Sequence, residues 1–565
     1  MEMMSFPVAG MVELLSYKAA RIIIAAVCVL FLTNLLLHKW ISKSWQHLER
    51  MQHHGQEFTL PPGPWPLPIL GNLTALGARP HESLQKLSKT YGPLMYLRLG
   101  SVPTVIVSSA EMAEEVLKTH DKVFASRPHV TSCEILGYGS QNFGFLPYGD
   151  QWRSARKMFT TKLVTTKRIE DSQRVRKDEI LLMLKSVMEK SEGGKGNTAV
   201  PMFNEFFQMA TNIVTRLMFS KRMFGSSDSV AFRGSDFREA TVEVFRLFGV
   251  FNIGDFIPFL KPFDLQGYEK QMRAVHKKMD GILQGLLDAC LKDLSQAQDD
   301  KINEADDIMT TLLTHPTDRT GKPMPEDEIK GMMVDALLAG TDTTAITLEW
   351  ALSELLKNPS LMRKTLEELD RVVGRARLVD ESDLPNLPYL QAVVKETMRL
   401  HPAGALMLPH ESVADCKVGE YFVPAQTRVM VNVWAIGRDP AVWEHALEFR
   451  PSRFLPDQVD AEIDLHGQDF KLLPFGSGRR SCPGKNLGLR VVEYTLAVML
   501  QSYHWSLPTS TLKPEDLDMS EKFALGVSKA VELEAVATPR LTSLIYQSAQ
   551  DGMYRSDIPF SSVNN

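Results

Sequence analysis

The stretch Phe475-Gly476-Ser477-Gly478-Arg479-Arg480-Ser481-Cys482-Pro483-Gly484 brings one cysteine into a glycine-rich loop near the C-terminal end of the chain. Its proline is a favourable first residue of a helix, and residues 487–500 are apolar and helix-prone. The sequence therefore predicts Cys482 at the start of a helix. The helix dipole and the two arginines of the loop favour a thiolate over a thiol. An anionic, shielded sulfur is suited to bind iron.

An isolated cysteine is more often a small buried hydrophobe than a ligand. The neighbours of Cys482 argue against that reading. Neither His466 nor His504 lies at zinc-ligand spacing from it, because each is in a separate segment. The five cysteines of the chain are odd in number and widely scattered, which predicts no disulfide framework. A cofactor that supplies its own remaining ligands fits Cys482 better.

Length and charge narrow the class of protein. The chain has 565 residues and no repeated modules, which indicates one large catalytic domain. Its formal net charge of -5 argues against a nucleic-acid-binding protein, whose domain is normally basic.

Residues 1–40 form an N-terminal segment whose apolar run, residues 22–37, predicts a single short membrane anchor. The run is shorter than the roughly 20 residues of a comfortable span, but Arg21 and Lys39 can reach both interfaces of a bilayer. A cleaved signal peptide is the alternative, although no small-residue cleavage site follows. The basic residues after the run place the bulk of the chain in the cytosol, which would leave the glycosylation sequon at Asn72 unused.

Three further segments follow the anchor. Residues 41–68 are predicted to be a polar linker that ends in a stiff, proline-rich hinge. Residues 69–540 form the catalytic domain. Residues 541–565 are a polar tail without a sustained apolar period, which predicts a surface extension or disorder.

The fold class is predicted to be mainly α with a minor β-sheet region. Alternating apolar residues predict a strand pair over 95–99 and 104–108, followed by a helix over 110–120. Another extended patch covers residues 421–433, with a turn at Pro424. Helical patterns dominate between these two regions.

One long helix is predicted over residues 327–357, roughly 45 Å at 1.5 Å per residue. The polar cluster from Gly340 to Thr344 interrupts its apolar centre, and burying that cluster needs a reason. A groove with an acid, Asp342, and an alcohol, Thr343, can hold water or dioxygen. The alternative is a helix kink whose hydroxyls bond the carbonyls one turn back.

A predicted helix over 390–400 places Glu396 and Arg399 on one face, three residues apart. An exposed pair of this kind is worth little, and a solvated salt bridge is the default reading. Arg453 lies about thirty residues before Cys482 and is a candidate third member of a buried network that supports the cysteine loop.

Trp152 and Arg156 lie one helical turn apart, so an indole donor and a guanidinium share a face and can both bind carboxylates. Packing and a solvated charge is the ordinary reading of such a pair. Arg127 and His410 are similar, weaker candidates.

In this order, four elements resemble the cytochrome P450 superfamily, in particular its plant microsomal A-type group. They are an AGxDTT segment at 339–344, Glu396-x-x-Arg399, Pro451-x-Arg453-Phe454, and FxxGxRxCxG at 475–484. Together with the anchor and the hinge, the resemblance covers residues 22 to about 540.

The resemblance implies the cytochrome P450 fold and haem b, with the Cys482 thiolate as the iron ligand that favours O–O cleavage. It assigns Asp342 and Thr343 to proton delivery, and Glu396, Arg399 and Arg453 to a structural network. Residues at haem-binding positions are Trp152, Arg156, His410, Arg480 and, near the sulfur, Phe475, with Arg127 as a looser candidate.

The implied function is an NADPH-dependent monooxygenase at the endoplasmic reticulum membrane, with its catalytic domain facing the cytosol. Its partners are an NADPH-cytochrome P450 reductase, the lipid bilayer and a small hydrophobic substrate, and no nucleic acid. A phenylpropanoid, flavonoid or other plant secondary metabolite is the expected substrate, with a terpenoid or fatty acid as alternatives. A reductase-independent isomerase or dehydratase and a non-catalytic haem-binding scaffold also stay open. Residues 403–405, Ala-Gly-Ala, replace the family's usual proline-rich run at positions where relatives line the distal pocket.

Overall fold

The computed structural model describes residues 59–192, 198–225, 234–296, 308–314, 321, 323–508, 513–542 and 545–546. The predicted anchor, most of the linker and most of the polar tail lie outside these residues. Within the described ranges, no helix is both long and apolar enough to cross a membrane.

The described residues are mostly helical. The α-helices are Pro80–Tyr91 (α1), Ala110–Glu114 (α2), Asp121–Phe124 (α3), Thr131–Leu136 (α4), Asp150–Met158 (α5), Thr166–Asp171 (α6), Gln173–Glu192 (α7), Met202–Phe219 (α8), Gly234–Phe248 (α9), Tyr268–Gln296 (α10), Ile308–Thr314 (α11), Glu326–Lys357 (α12), Pro359–Val372 (α13), Pro388–Leu400 (α14), Val433–Ile436 (α15) and Lys485–Ser502 (α16).

The strands are short and form four small sheets. They are Leu94–Leu99 (β1), Val102–Val107 (β2), Val200–Pro201 (β3), His410–Glu411 (β4), Cys416–Val418 (β5), Tyr421–Val423 (β6), Arg428–Val431 (β7), Tyr503–Ser506 (β8), Glu521–Phe523 (β9), Val527–Lys529 (β10) and Glu534–Pro539 (β11). The largest sheet has the order β1-β2-β7-β4, with β2 and β7 parallel and the other neighbours antiparallel. The remaining sheets are β3-β11-β8, β9-β10 and β5-β6.

Helix α12 runs through the middle of the domain and packs against α8, α14 and α16. Its residues are buried on most faces, as its apolar centre predicts. A side chain at Gly340 would put its Cβ 2.7 Å from Val214 on α8, so the glycine permits the close approach of these two helices. The main hydrophobic core lies between α7, α8, α12, α14 and α16.

The sequence prediction of a helix starting at Pro483 is wrong by two residues. Helix α16 begins at Lys485 with Gly484 as its N-cap, so Cys482 lies in the turn that precedes the helix. The helix predicted over 110–120 consists of α2 and a π-helical turn, Glu115–Thr119.

Asn72, the acceptor residue of the glycosylation sequon, uses its side chain in hydrogen bonds within the fold. Its side-chain amide donates to the carbonyls of Pro64 and Trp65, and its Oδ1 accepts from the Arg98 N–H at 2.8 Å. Asn72 is also buried, so its amide is not available for glycosylation in the folded protein.

Candidate active site

A cavity of about 410 Å³ lies between α12 and the cysteine loop, residues 475–484. Its wall is mostly apolar. Cys482 lines it on one side, and Gly340 and Thr343 line it from the middle of α12.

The cysteine loop is closed by its own backbone. The Cys482 N–H donates to the carbonyl of Phe475 at 2.8 Å, and Phe475 also lines the cavity. Burial raises the pKa of the Cys482 thiol, while the Gly484 backbone N–H and the nearby Arg156 and Lys485 charges lower it. Burial has the larger effect, so the loop and its arginines do not by themselves favour the thiolate as the sequence predicts. A bound cation such as iron would supply the missing stabilisation.

The end of the cavity near the loop is rich in cationic and donor groups. Arg127, Arg156, Arg480 and the indole of Trp152 all line it, and the Arg480 guanidinium lies 4.3 Å from the centre of the Trp152 ring. The indole Nε1 is buried and has no hydrogen-bond partner among the described residues.

Two arginines of this wall, Arg127 and Arg480, are held by carbonyls. Arg127 donates to Gly144, Leu408 and Pro409. Burial lowers its pKa to about 9, and burial together with the Arg127 charge lowers the pKa of Arg480 to about 8. Cations held this way, next to an unpartnered donor, fit an anionic ligand, and the two propionates of haem supply such charges.

His410 also lines the cavity, but one of its ring nitrogens is already used. Its Nδ1–H donates to the Phe124 carbonyl at 2.7 Å. Burial and the Arg127 charge hold the pKa of His410 well below its ordinary value, so the ring is neutral here.

The acid and the alcohol of α12 point in different directions. Thr343 lines the cavity and its Oγ1 donates to the Ala339 carbonyl at 2.5 Å. Asp342 is buried outside the cavity wall, on the side of Arg238. Burial raises the pKa of Asp342 to about 8, against the opposing effect of Arg238.

Glu396, Arg399 and Arg453 form one buried network, which is the alternative to the solvated salt bridge that spacing alone favours. Glu396 accepts from Arg399 at 2.7 Å and from Arg453 at 3.1 Å. Arg399 also donates to the carbonyls of Gly437 and Ala446. In the described part of the chain, these contacts tie α14 to residues 437–453, and no hydrogen bond of the network reaches residues 475–484. Its support of the cysteine loop is therefore indirect.

The sequence did not indicate the role of Asp335. This residue lines the cavity two helical turns before Thr343, and its carboxylate accepts from the Asn142 side chain at 2.9 Å and from the Gly144 N–H at 3.0 Å. Burial raises the pKa of Asp335 to about 6. The carboxylate fixes the loop that carries Phe145 over the cavity. An acid within the apolar centre of the helix, four residues before Ala339 and eight before Thr343, was the available signal.

Phenylalanines form the far side of the cavity. Phe145 and Phe248 are stacked, with ring centres 5.2 Å apart and planes 7° from parallel. Phe245 contributes to the same wall, close to Gly526. A flat apolar ligand matches these surfaces in shape and polarity.

The cysteine loop, the cationic wall and the apolar cavity above Thr343 define a haem-thiolate protein. The family model for cytochrome P450 matches residues 61–531, so the chain belongs to the cytochrome P450 family.

Similar proteins agree with this membership. A flavonoid 3'-monooxygenase of Crocosmia x crocosmiiflora is 41% identical over 519 residues, which are 92% of this chain and 99% of that protein. A flavonoid 3',5'-hydroxylase of the same plant is 40% identical over 501 residues, 86% of this chain and 92% of that protein. A solved zebra fish cytochrome P450 with progesterone has a TM-score of 0.68 and 25% identity, covering 81% of this chain and 99% of that one.

Membership of this family makes the protein a monooxygenase that takes electrons from a redox partner and acts on a small substrate. Its cofactor is haem, held by a cysteine thiolate. When bound, the haem supplies the activation of dioxygen.

Proposed function

We propose that this protein hydroxylates a flavonoid at an aromatic ring carbon. The observation that supports this substrate best is the aromatic, apolar cavity that opens on Thr343 and Cys482, in a chain about 40% identical to flavonoid hydroxylases. The reaction consumes one dioxygen, two electrons and two protons, and it yields the hydroxylated flavonoid and water.

The residues of the chain have separate tasks in this proposal. Phe145 and Phe248 bind the flat ring system and exclude water, while Thr343 holds a proton donor at the cavity wall. Burial raises the pKa of Asp342 to about 8, so this acid keeps its proton at neutral pH, and delivery of that proton requires its side chain to turn from the side of Arg238 towards the cavity. Arg127, Arg156, Arg480 and Trp152 would hold the propionates of the haem.

Electrons are proposed to come from an NADPH-cytochrome P450 reductase that docks near the cysteine loop. Lys485 and Arg490 lie in the first turns of α16, next to the loop, and Arg153 and Lys157 lie on α5. A surface with these basic side chains attracts an acidic partner and is sensitive to salt.

The proposed location is the endoplasmic reticulum membrane, with the apolar run 22–37 as anchor. Its support within the described residues is an apolar surface made by two segments, residues 65–70 and residues 256–265. Leu70 and Phe256 accept hydrogen bonds from the turn between β1 and β2, so the two segments are neighbours. Their exposed side chains are Trp65, Leu67, Ile69, Phe259, Phe263 and Leu265. An exposed apolar patch of this kind marks an interaction surface, and a bilayer fits it.

The test uses the full chain in microsomes with a plant reductase. Flavanones, flavones, terpenoids and fatty acids are screened for binding-induced shifts of the haem spectrum and for NADPH-dependent products. We expect shifts and singly hydroxylated products with flavonoids. Conversion of terpenoids or fatty acids only would overturn the substrate class. Turnover without NADPH would instead indicate an isomerase or dehydratase.

A further inference from the structure

We infer that Asp121 is a positioning residue for the iron-binding cysteine, because it clamps the backbone of the cysteine loop from the side of α3. This contact holds the loop whatever the identity of the substrate.

The clamp consists of a carboxylate and a main-chain amide. The Arg479 N–H donates to both carboxylate oxygens of Asp121, at 3.2 Å each. The Arg479 side chain adds a contact from its Nε to Oδ2 at 3.3 Å. Asp121 is the first residue of α3, so its backbone is fixed by that helical turn. Arg479 lies three residues before Cys482.

The loop backbone lies unusually close to this region. Gly478 has a φ of +65°, and a Cβ at this position would lie 2.2 Å from the Leu117 carbonyl and 3.0 Å from Oδ1 of Asp121. Only glycine tolerates both the left-handed backbone and the contact. The position of the loop relative to Asp121 is therefore fixed by the packing of its main chain, and not only by a flexible side chain.

The other end of α3 holds the next residue of the loop. The Arg480 guanidinium donates to the Ala125 carbonyl at 2.6 Å and to the Leu146 carbonyl at 2.6 Å. Two consecutive residues, Arg479 and Arg480, are thus attached to the two ends of one short helix. Only Ser481 lies between Arg480 and Cys482. A shift of these two arginines relative to α3 would therefore move the sulfur of Cys482.

The competing reading is a surface ion pair between Asp121 and Arg479, which would contribute little. The Asp121 side chain is 22% exposed and that of Arg479 is 46% exposed. The two readings differ in one respect: the ion pair needs the Arg479 side chain, whereas the clamp needs only its backbone N–H. Substitution of Arg479 therefore separates them.

The experiment measures haem transfer from the purified holoprotein to excess apomyoglobin, together with the ferrous carbon-monoxide spectrum. For Asp121→Ala we expect haem transfer to be roughly three- to tenfold faster, as for the loss of one partly exposed hydrogen bond of ordinary strength. We also expect a larger fraction of the spectral form in which the cysteine is no longer a thiolate ligand. Arg479→Ala keeps the N–H and is expected to stay within about twofold of the native rate.

Asp150→Ala is the matched control, because Asp150 is also the first residue of a helix, α5, and pairs with a nearby arginine, but its side chain is 84% exposed. If Asp121→Ala yields no haem protein, Asp121→Asn takes its place; it keeps an acceptor oxygen, and an intermediate rate supports the clamp. Equal rates for the Asp121 variant and Asp150→Ala would overturn the inference. So would equal effects of the Asp121 and Arg479 variants, which would indicate a simple ion pair.

Discussion

At the scale of single residues, Thr343 carries the most direct prediction about chemistry. Its hydroxyl lines the cavity, and Thr343→Ala removes the group that would hold a proton donor there. We expect NADPH consumption to continue with release of hydrogen peroxide, while product formed per NADPH falls roughly tenfold or more. The measurement compares product, peroxide and NADPH in the reconstituted system.

Thr347 provides the control for Thr343. It lies one turn later, lines the same cavity, and its hydroxyl donates to the Thr343 carbonyl at 2.8 Å. If the hydroxyls serve only to shape the helix, Thr347→Ala should uncouple the reaction as strongly as Thr343→Ala. Unchanged coupling in Thr343→Ala would contradict the proton role.

The residues that could be assigned from sequence lie in short local patterns. Cys482 stands in its glycine-rich loop, and Glu396 and Arg399 are one helical turn apart. Asp335 and Asp121 could not be assigned, because Gly144 and Arg479, to which they bond, are 191 and 358 residues away in the chain. Contacts of that separation are set by packing of the whole domain, which no local pattern encodes.

At the scale of elements, helix α12 lines the cavity and also carries the buried acids Asp342 and Glu349. Burial raises the pKa of Asp342 to about 8, so the folded protein keeps a proton that the unfolded chain releases near pH 4. Since the folded state binds more protons across this window, stability falls as pH rises from about 4 to 8. Asp342→Asn does not titrate and should remove this part of the slope.

The prediction is tested by chemical unfolding of the holoprotein at pH 5.5 and 7.5. Between pH 5.5 and pH 7.5, the unfolding free energy of the native protein should fall by about 2 kcal/mol more than that of Asp342→Asn. Asp335 and Glu349, whose pKa values are also raised by burial, titrate in both proteins and cancel in the difference. The exposed Asp327, in the first turn of the same helix, gives the control Asp327→Asn. Parallel pH profiles for the native protein and Asp342→Asn would contradict the raised pKa.

The long helix and the first strand pair were predictable, since β1 and β2 form where strands were predicted over 95–99 and 104–108, but the exact bounds of the shorter strands were not. The helix predicted over 327–357 is observed as Glu326–Lys357, since its apolar content and its end before Pro359 are strong local signals. The patch predicted as extended over 421–433 is confirmed in β6 and β7, on either side of Pro424, but its last residue, Val433, begins α15. Strands of two to four residues depend on their partners, and β7 is fixed by pairing with β2, far away in the chain.

At the scale of the whole molecule, the apolar surface of the two neighbouring segments predicts how the domain meets a bilayer. Trp65 is 77% exposed within this surface, so its indole should enter the headgroup region when the full chain is reconstituted in nanodiscs. Lipids with a shallow spin label should quench tryptophan fluorescence less in Trp65→Phe than in the native protein. The matched control is Trp505→Phe, because Trp505 is half-buried and packs against Tyr503; its removal should not reduce the quenched fraction. Equal quenching in the native protein and Trp65→Phe would show that this surface faces water, and the apolar side chains around Trp65 would then need another partner.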